Sequence, residues 1–457
     1  MADDRDTIFA LSSGRPPAAI AVVRISGPRA AFALEKLIGR MPQARRATLA
    51  RVRDPVTGDV IDEGLALWFP GPNSETGEDI VELQVHGGRA VIAAVLGALG
   101  KLAGLRPAEA GEFTRRAFEN GRMDLTAVEG LADLVAAETE AQRRQAFQHL
   151  KGLLGERAET WRQRLIEALA LVEAGIDFSD EGDVPQGLMT RALELIRPLA
   201  DEISRAGVGQ GERLREGLRV AIAGPPNVGK STLFNRLAGR EAAIVSPFPG
   251  TTRDVLELHL DLGGYPATVL DTAGIRETSD PVEREGVRRA GMQAAGADVV
   301  LWVVDATSSE GEAAHKAPAS IQVPEGSTAW IVVNKMDLVA GELAQRIESE
   351  FKAKIVNVNF VSSTTGKGFD DLVNALARFA EGFFTPEPAL VARERQRAHL
   401  RETALALQDA QRAAQDEREE ILAEHLRLAA RALGKLLGRV DVEDVLDVIF
   451  REFCIGK

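Results

Sequence analysis

The stretch Arg219-Val220-Ala221-Ile222-Ala223-Gly224-Pro225-Pro226-Asn227-Val228-Gly229-Lys230-Ser231-Thr232 decides how the centre of this 457-residue chain folds. Five residues, 219–223, read as a buried strand, and Gly224 ends it. From Thr232 to Ala238 the spacing is helical, and Gly239 supplies a stop. Between them lies G-x-x-x-x-G-K-S in a strand–loop–helix setting. Its glycines let backbone amides curl around phosphates at a helix N-terminus, whose dipole favours anions. Gly224, Asn227, Val228, Gly229, Lys230, Ser231 and Thr232 are therefore candidate nucleotide contacts. Lys230 suits the β- and γ-phosphates, and the Ser231 hydroxyl suits Mg²⁺.

Downstream, Asp271-Thr272-Ala273-Gly274 follows the apolar run 267–270. A carboxylate there can hold Mg²⁺ through water, and the Gly274 amide can approach a γ-phosphate. Asn334-Lys335-Met336-Asp337 ends the run 329–333. The Asp337 carboxylate matches the adjacent N1–H and N2–H₂ donors of guanine, whereas adenine offers the wrong pattern. Asn334 can support that loop and the base edge, and Lys335 is a further candidate GTP contact. Ser362-Ser363-Thr364 closes the run 355–361 and can offer an amide to guanine O6. Gly250-Thr251-Thr252-Arg253-Asp254 fits a switch segment, with Thr252 a second Mg²⁺ hydroxyl. The motifs stand in order at the ends of strands alternating with helices, so the sequence predicts a parallel, doubly wound α/β domain of the Ras-like P-loop type over 217–382 that binds GTP.

Around it the texture differs. Residues 1–122 mix strands (19–25, 65–69 and the alternating 80–85) with a helix over 90–104, an α+β pattern. Residues 123–216 and 383–457 are rich in Ala, Leu, Glu and Arg at helical spacing, with a break near 177–185. An all-α domain interrupted by an inserted α/β domain is the economical reading; two separate helical domains are the alternative. The length calls for two or three domains. A net charge of −13 argues against nonspecific nucleic-acid binding through a broad basic surface. The basic stretches 143–151 and 393–401 read as solvated helix faces more readily than as an RNA surface. One cysteine, Cys454, excludes an internal disulfide. No apolar run reaches the roughly 18–20 residues of a membrane span. With the acidic opening Met1-Ala2-Asp3-Asp4-Arg5-Asp6, this points to the cytoplasm.

In Ras-like proteins a glutamine after the Asp-x-x-Gly motif orients the attacking water. Here Ile275 stands there, so another group must do so, and 276–285 holds several carboxylates. The loop with Asn227, the 250–254 segment and Val282-Glu283-Arg284 resemble the MnmE (TrmE) family of tRNA-modification GTPases. So do Val23-Arg24-Ile25-Ser26-Gly27, Phe69-Pro70-Gly71-Pro72-Asn73-Ser74, Gly77-Glu78-Asp79 and the final Phe453-Cys454-Ile455-Gly456-Lys457. The resemblance runs the length of the chain. It implies that Glu283 orients water indirectly, and that a K⁺ ion beside the phosphates is held by Asn227 and by groups around Ser246, Phe248 and Thr251. Such a cation replaces an arginine finger, worth roughly 10³–10⁵ in rate elsewhere. It also implies a homodimer whose GTPase domains meet face to face.

For residues 1–122 the resemblance implies a folate-binding and dimerisation domain that takes a one-carbon unit from 5,10-methylenetetrahydrofolate, with Arg24, Glu82, Arg122 and Lys457 as contacts. A carboxylate such as Glu82 can accept the paired donors of a pterin. Arg122 stands where a typical member has Lys, and the two are different donors. Cys454 is either an inert structural residue or a functional thiol near that site. The implied partner is a flavin-dependent MnmG (GidA)-type protein, forming a heterotetramer or larger complex, with tRNA as substrate and no membrane. Together they would install an aminomethyl or carboxymethylaminomethyl group on C5 of the wobble uridine. The rival reading is a regulatory switch of the ribosome-assembly type, which would share every motif from Gly224 to Thr364.

Overall fold

The computed structural model describes residues 6–177, 187–207, 211–240, 243–244, 257–271, 296–307, 327–339, 341–354, 357–384, 389–416, 418–440, 446, 449–450, 453 and 455–456. The chain divides into two compact units. One is built from Met1–Ala132, His149–Ser204 and Ala398–Lys457, the other from Asp133–Gln148 and Arg205–Arg397.

The first unit opens with strands β1 (Thr7–Leu11), β2 (Ile20–Ser26), β3 (Thr48–Arg53), β4 (Val60–Phe69), β5 (Ile80–His86) and β6 (Leu105–Pro107). They form one sheet in the order β3-β4-β5-β2-β1-β6, antiparallel except for β1 with β6. In β2 and β5 every second side chain turns inward, and Val23, Ile25, Val81, Leu83 and Val85 are buried. Helices α1 (Ala30–Ile38) and α2 (Arg89–Gly100) supply Leu34, Leu37, Val95 and Leu99 to the same core. Three strands, β1, β3 and β6, and the first half of β4 had no sequence reading. They are short, or charged on alternate positions, so periodicity alone could not raise them above turn.

Helices α3 (Glu112–Glu119), α4 (Leu125–Ala136), α6 (Leu153–Asp177) and α7 (Leu188–Ala206) follow, while most of α5 (Glu140–Leu150) falls in the second unit. Two later helices, numbered below as α12 and α13, are Glu394–Gln415 and Glu419–Leu437. Trp161, Leu165 and Val172 of α6 are fully buried, as are Leu422, Leu426 and Leu433 of α13, and the two helices pack together. Gly456 lies against the end of β1, and Ile455 makes an antiparallel bridge to Ala110.

The second unit contains α8 (Gly211–Glu216), β7 (Leu218–Ala223), α9 (Lys230–Ala238), β8 (Ala243–Ile244), β9 (Glu257–Leu262), β10 (Tyr265–Asp271), β11 (Val299–Asp305) and β12 (Thr328–Asn334). A 3₁₀ turn (Met336–Leu338), α10 (Glu342–Lys354), β13 (Val358–Phe360) and α11 (Phe369–Phe383) complete it. Strand order is β13-β12-β11-β7-β10-β9-β8. The sheet is parallel from β13 to β10, as expected, but β9 and β8 run antiparallel at one edge. β9 is not legible as an apolar run because its residues alternate (Glu257, Leu258, His259, Leu260, Asp261, Leu262), the mark of a half-buried strand outside the apolar parallel core. Chain order reverses direction at β7, flanked by β10 and β11. Open α/β sheets bind ligands beyond the strand C-termini at such a point.

Candidate guanine-nucleotide site

The loop after β7 is shaped by its glycines. Gly224 has φ +145°, and a β-carbon there would come 2.4 Å from the Val303 carbonyl oxygen of β11. Only glycine lets the strand end turn that close to its neighbour. Asn227 (φ +62°) and Gly229 (φ +97°) are left-handed. α9 then begins at Lys230, and its first amides have no carbonyl within the helix to serve. The Lys230 ammonium folds over the loop, donating to the carbonyls of Gly224 (3.0 Å) and Pro225 (2.8 Å).

The loop after β12 is tied to this one by two adjacent side chains. Asn334 Nδ2 donates to the Val228 carbonyl at 2.8 Å, and Lys335 Nζ donates to the Asn227 carbonyl at 2.8 Å. Asn334 is only 2% exposed, and its Oδ1 accepts from both the Ser363 amide (3.0 Å) and the Ser363 hydroxyl (2.9 Å). One buried amide thus links three loops. Asp337 lies in the 3₁₀ turn with an exposed side chain, and no structural bond consumes its carboxylate among the described contacts. Thr364 lies beside Ser363, and the carbonyls of both accept from Arg236 of α9 (3.1 and 2.8 Å).

Asp271 is the last residue of β10, in register with Ile222 of β7, so its backbone arrives beside the phosphate-type loop. Ser231 and Thr232 occupy the first turn of α9. Ser246, Phe248, Thr251, Thr252, Thr272, Ala273, Gly274 and Glu283 lie outside the described residues. The expected K⁺ shell, the second Mg²⁺ hydroxyl and the water-orienting glutamate therefore have no geometry here.

Two residues of this site escaped the sequence reading. Asp305 ends β11 and pairs with Lys335 Nζ at 2.6 Å. Burial pushes its carboxyl up. The Lys335 ammonium and the Thr307 amide and hydroxyl outweigh burial and hold it below the usual carboxylate range. Arg236 was the other. An acid at the C-terminal end of an apolar strand was the available signal for Asp305; a helix arginine carries none.

In the first unit, Arg24 and Glu82 stand opposite each other on β2 and β5. The guanidinium donates to Glu82 Oε1 through Nε (3.1 Å) and Nη2 (2.9 Å), and Nη1 lies 2.8 Å from Glu75 Oε2. Glu75 was not anticipated. The chain reaches it through a braced loop: Glu78, beside a buried Arg116 (3.1 Å), accepts from Ser26 at 2.7 Å. The tail approaches the same strands, since Gly456 meets Leu11, whose neighbour Ala10 is in register with Arg24. Arg122 is exposed, with its Cγ in the vicinity of Gly77. Cys454 and Lys457 lie outside the described residues.

Comparison with known proteins places the whole chain. The model for the MnmE helical domain matches residues 125–454, and that for the GTP-binding protein TrmE N-terminus matches 7–122. The chain belongs to the tRNA modification GTPase MnmE family. The tRNA modification GTPase MnmE of Bradyrhizobium sp. (strain ORS 278) is 56% identical over 454 residues, 99% of each chain. That of Rhodopseudomonas palustris (strain BisB18) is 56% identical over 457 residues, again 99% of each. The MnmE of Azorhizobium caulinodans is 54% identical over 459 residues and spans 100% of both. Membership in the MnmE family agrees with the α+β, helical and P-loop α/β parts read from the sequence. The basic stretches of the helical texture are largely taken up internally. Arg143 and Arg144 both pair with Glu140, Arg393 with Asp133, and Arg397 with Glu212 and Glu394. Among the described residues no helix is long and apolar enough to cross a membrane.

Proposed function

We propose that this chain hydrolyses GTP in a K⁺-stimulated reaction and uses that cycle, with a flavin-dependent partner, to modify C5 of the wobble uridine of tRNA. As a member of the MnmE family it is a GTPase that acts in tRNA modification. The observation that carries the nucleotide reading is the pair of bonds from Asn334 and Lys335 to successive carbonyls of the 224–231 loop. A base-reading loop and a phosphate-type loop are tied together, and among the described residues no contact takes up the Asp337 carboxylate that would meet the guanine edge. Holding both ends of a nucleotide in a fixed relation removes much of the ordering cost of binding. Lys230 and the α9 amides receive the β- and γ-phosphates; Ser231, Thr252 and Asp271 serve Mg²⁺. Asn227, Ser246, Phe248 and Thr251 hold K⁺, and Glu283 positions water.

In the first unit, Arg24, Glu82, Arg122 and Lys457 bind a reduced folate. Glu82, fixed by Arg24, faces the pterin donors, and the one-carbon unit passes to the uridine with ammonium or glycine as nitrogen source. The chain works as a homodimer in the cytoplasm, in a complex with the MnmG-type partner. GTP hydrolysis rates in equimolar K⁺ and Na⁺ test the ion reading, and equal rates would remove it. Nucleoside analysis of tRNA from cells lacking the chain tests the substrate, because unchanged wobble uridines would leave a GTPase without this chemistry.

A further inference from the structure

We infer that Asp305 is a positioning residue for nucleotide binding: it holds the Lys335 ammonium on the Asn227 carbonyl and so keeps the base-reading and phosphate-type loops in register. This rests on the reading of the site as a guanine-nucleotide site.

The geometry forms a chain of fixed contacts. Asp305 and Asn334 are the paired last residues of the parallel strands β11 and β12, and the Ala306 amide donates to the Asn334 carbonyl at 2.9 Å. Asp305 Oδ1 accepts from the Thr307 amide (2.8 Å) and hydroxyl (2.7 Å), which fixes the carboxylate plane. Its other oxygen, Oδ2, then meets Lys335 Nζ at 2.6 Å. The Asp305 side chain is 17% exposed and that of Lys335 31%, so the pair is partly shielded from water. Lys335 itself is left-handed (φ +64°), which turns its side chain back across the sheet edge toward Asn227, also left-handed (φ +62°). A lysine stem has four rotatable bonds, and without an anchor its ammonium would sample solvent. Asp305 supplies that anchor. The neighbouring Asn334–Val228 bond needs no such help, because Asn334 is short and buried. Asp305 therefore touches neither base nor phosphate in this scheme and acts through Lys335.

The test compares the full-length chain with Asp305→Asn, Lys335→Met and the double variant, using a fluorescent GDP analogue and steady-state GTP hydrolysis. Asp305→Asn keeps the side-chain shape and an Oδ1 acceptor for Thr307. It should raise the dissociation constant about tenfold, the scale of one charge-assisted hydrogen bond, through faster release. KM should rise with it while kcat at saturating GTP stays within about twofold, the signature of lost uniform binding. The double variant should bind within about twofold of Lys335→Met, because Asp305 has nothing left to position. Additive losses, or an Asp305→Asn affinity equal to wild type, would overturn the inference. Failure of the wild-type chain to bind guanine nucleotide would instead remove the reading beneath it. Should Asp305→Asn not fold, Thr307→Val carries the test: it removes one of the two Oδ1 donors, and about threefold weaker binding is expected. Unchanged binding there would equally refute the proposal.

Discussion

Replacing Gly229 by alanine sets the backbone of the proposed site against its Asn334 brace. Gly229 has φ +97°, and a β-carbon on it would lie 2.4 Å from Asn334 Nδ2. The left-handed backbone alone costs an alanine about 1–2 kcal/mol. The clash adds to this, because Asn334 is buried and bonded on both ends of its amide. Moving it breaks the 2.8 Å bond to Val228 or the pair from Ser363 and strands a buried polar group, at about 1–3 kcal/mol. The free chain can relieve this by distorting the loop, whereas nucleotide binding demands the loop restored. A loss of about 2–5 kcal/mol in binding follows, or roughly thirtyfold to several-thousandfold in dissociation constant. Titration with a fluorescent GDP analogue reads it directly, alongside thermal unfolding without nucleotide. Gly382→Ala in α11 is the control. No atom lies within 4 Å of the added carbon, and stability should rise by about 0.5–1 kcal/mol with binding unchanged. If Gly229→Ala binds within threefold of wild type, the Asn334-centred brace is not what organises the site.

Three further outcomes are expected. Glu283→Ala should slow GTP hydrolysis by about 10²–10⁴ while leaving GDP affinity nearly intact, as for loss of a group that acts on the attacking water; a collapse of affinity would make the residue structural. Removing Gly456 and Lys457 should weaken reduced-folate binding by at least about tenfold in equilibrium dialysis and spare guanine nucleotide, and equal folate binding would place that site elsewhere. His259 of β9 sits 3.2 Å from Glu138, whose carboxylate raises the imidazole pKa above its ordinary value of about 6.5 against the opposing effect of burial, with Glu257 adding to the rise. A raised pKa stabilises the fold fully below about pH 6.5, and the gain is lost as pH rises through the folded-state value. Glu138→Gln should therefore lower the His259 pKa in an NMR titration and flatten that part of the stability profile; an unmoved resonance would show that Arg215 and Glu216, which line the same cavity, control it.

The parts of the site legible in the sequence were those whose chemistry is set by backbone. Gly224 and Gly229 are dictated by left-handed or crowded positions, and Asn334 by a demand for one amide that both donates and accepts. Such constraints leave a fixed spacing. What stayed hidden was support from other strands: Asp305 reaching Lys335 over 30 positions, or Arg236 bracing carbonyls 127 and 128 positions away. Only the strand order β13-β12-β11-β7 brings those residues together, and a linear pattern does not contain it. Strand β9, second from the edge, was missed for the related reason that half of it faces water.

The same distinction bears on the first unit, where only the resemblance singled out Glu82. An acid on an alternating strand reads as a solvent-facing position, yet here it is 20% exposed and opposed by Arg24, which also meets Glu75. Two carboxylates on one guanidinium leave a net negative pair, and that argues about the ligand. A site of this sign favours the neutral, donor-rich face of a pterin over an anionic group at Arg24, whose charge is already committed. The carboxylate tail of a folate would then have to be met elsewhere, and the exposed Arg122 is a candidate cation for it. If Arg24→Ala weakened binding of a pterin lacking the glutamate tail as much as that of the whole folate, Arg24 would be confirmed as a brace for Glu82. A loss confined to the tailed ligand would refute this and make Arg24 the anion's partner.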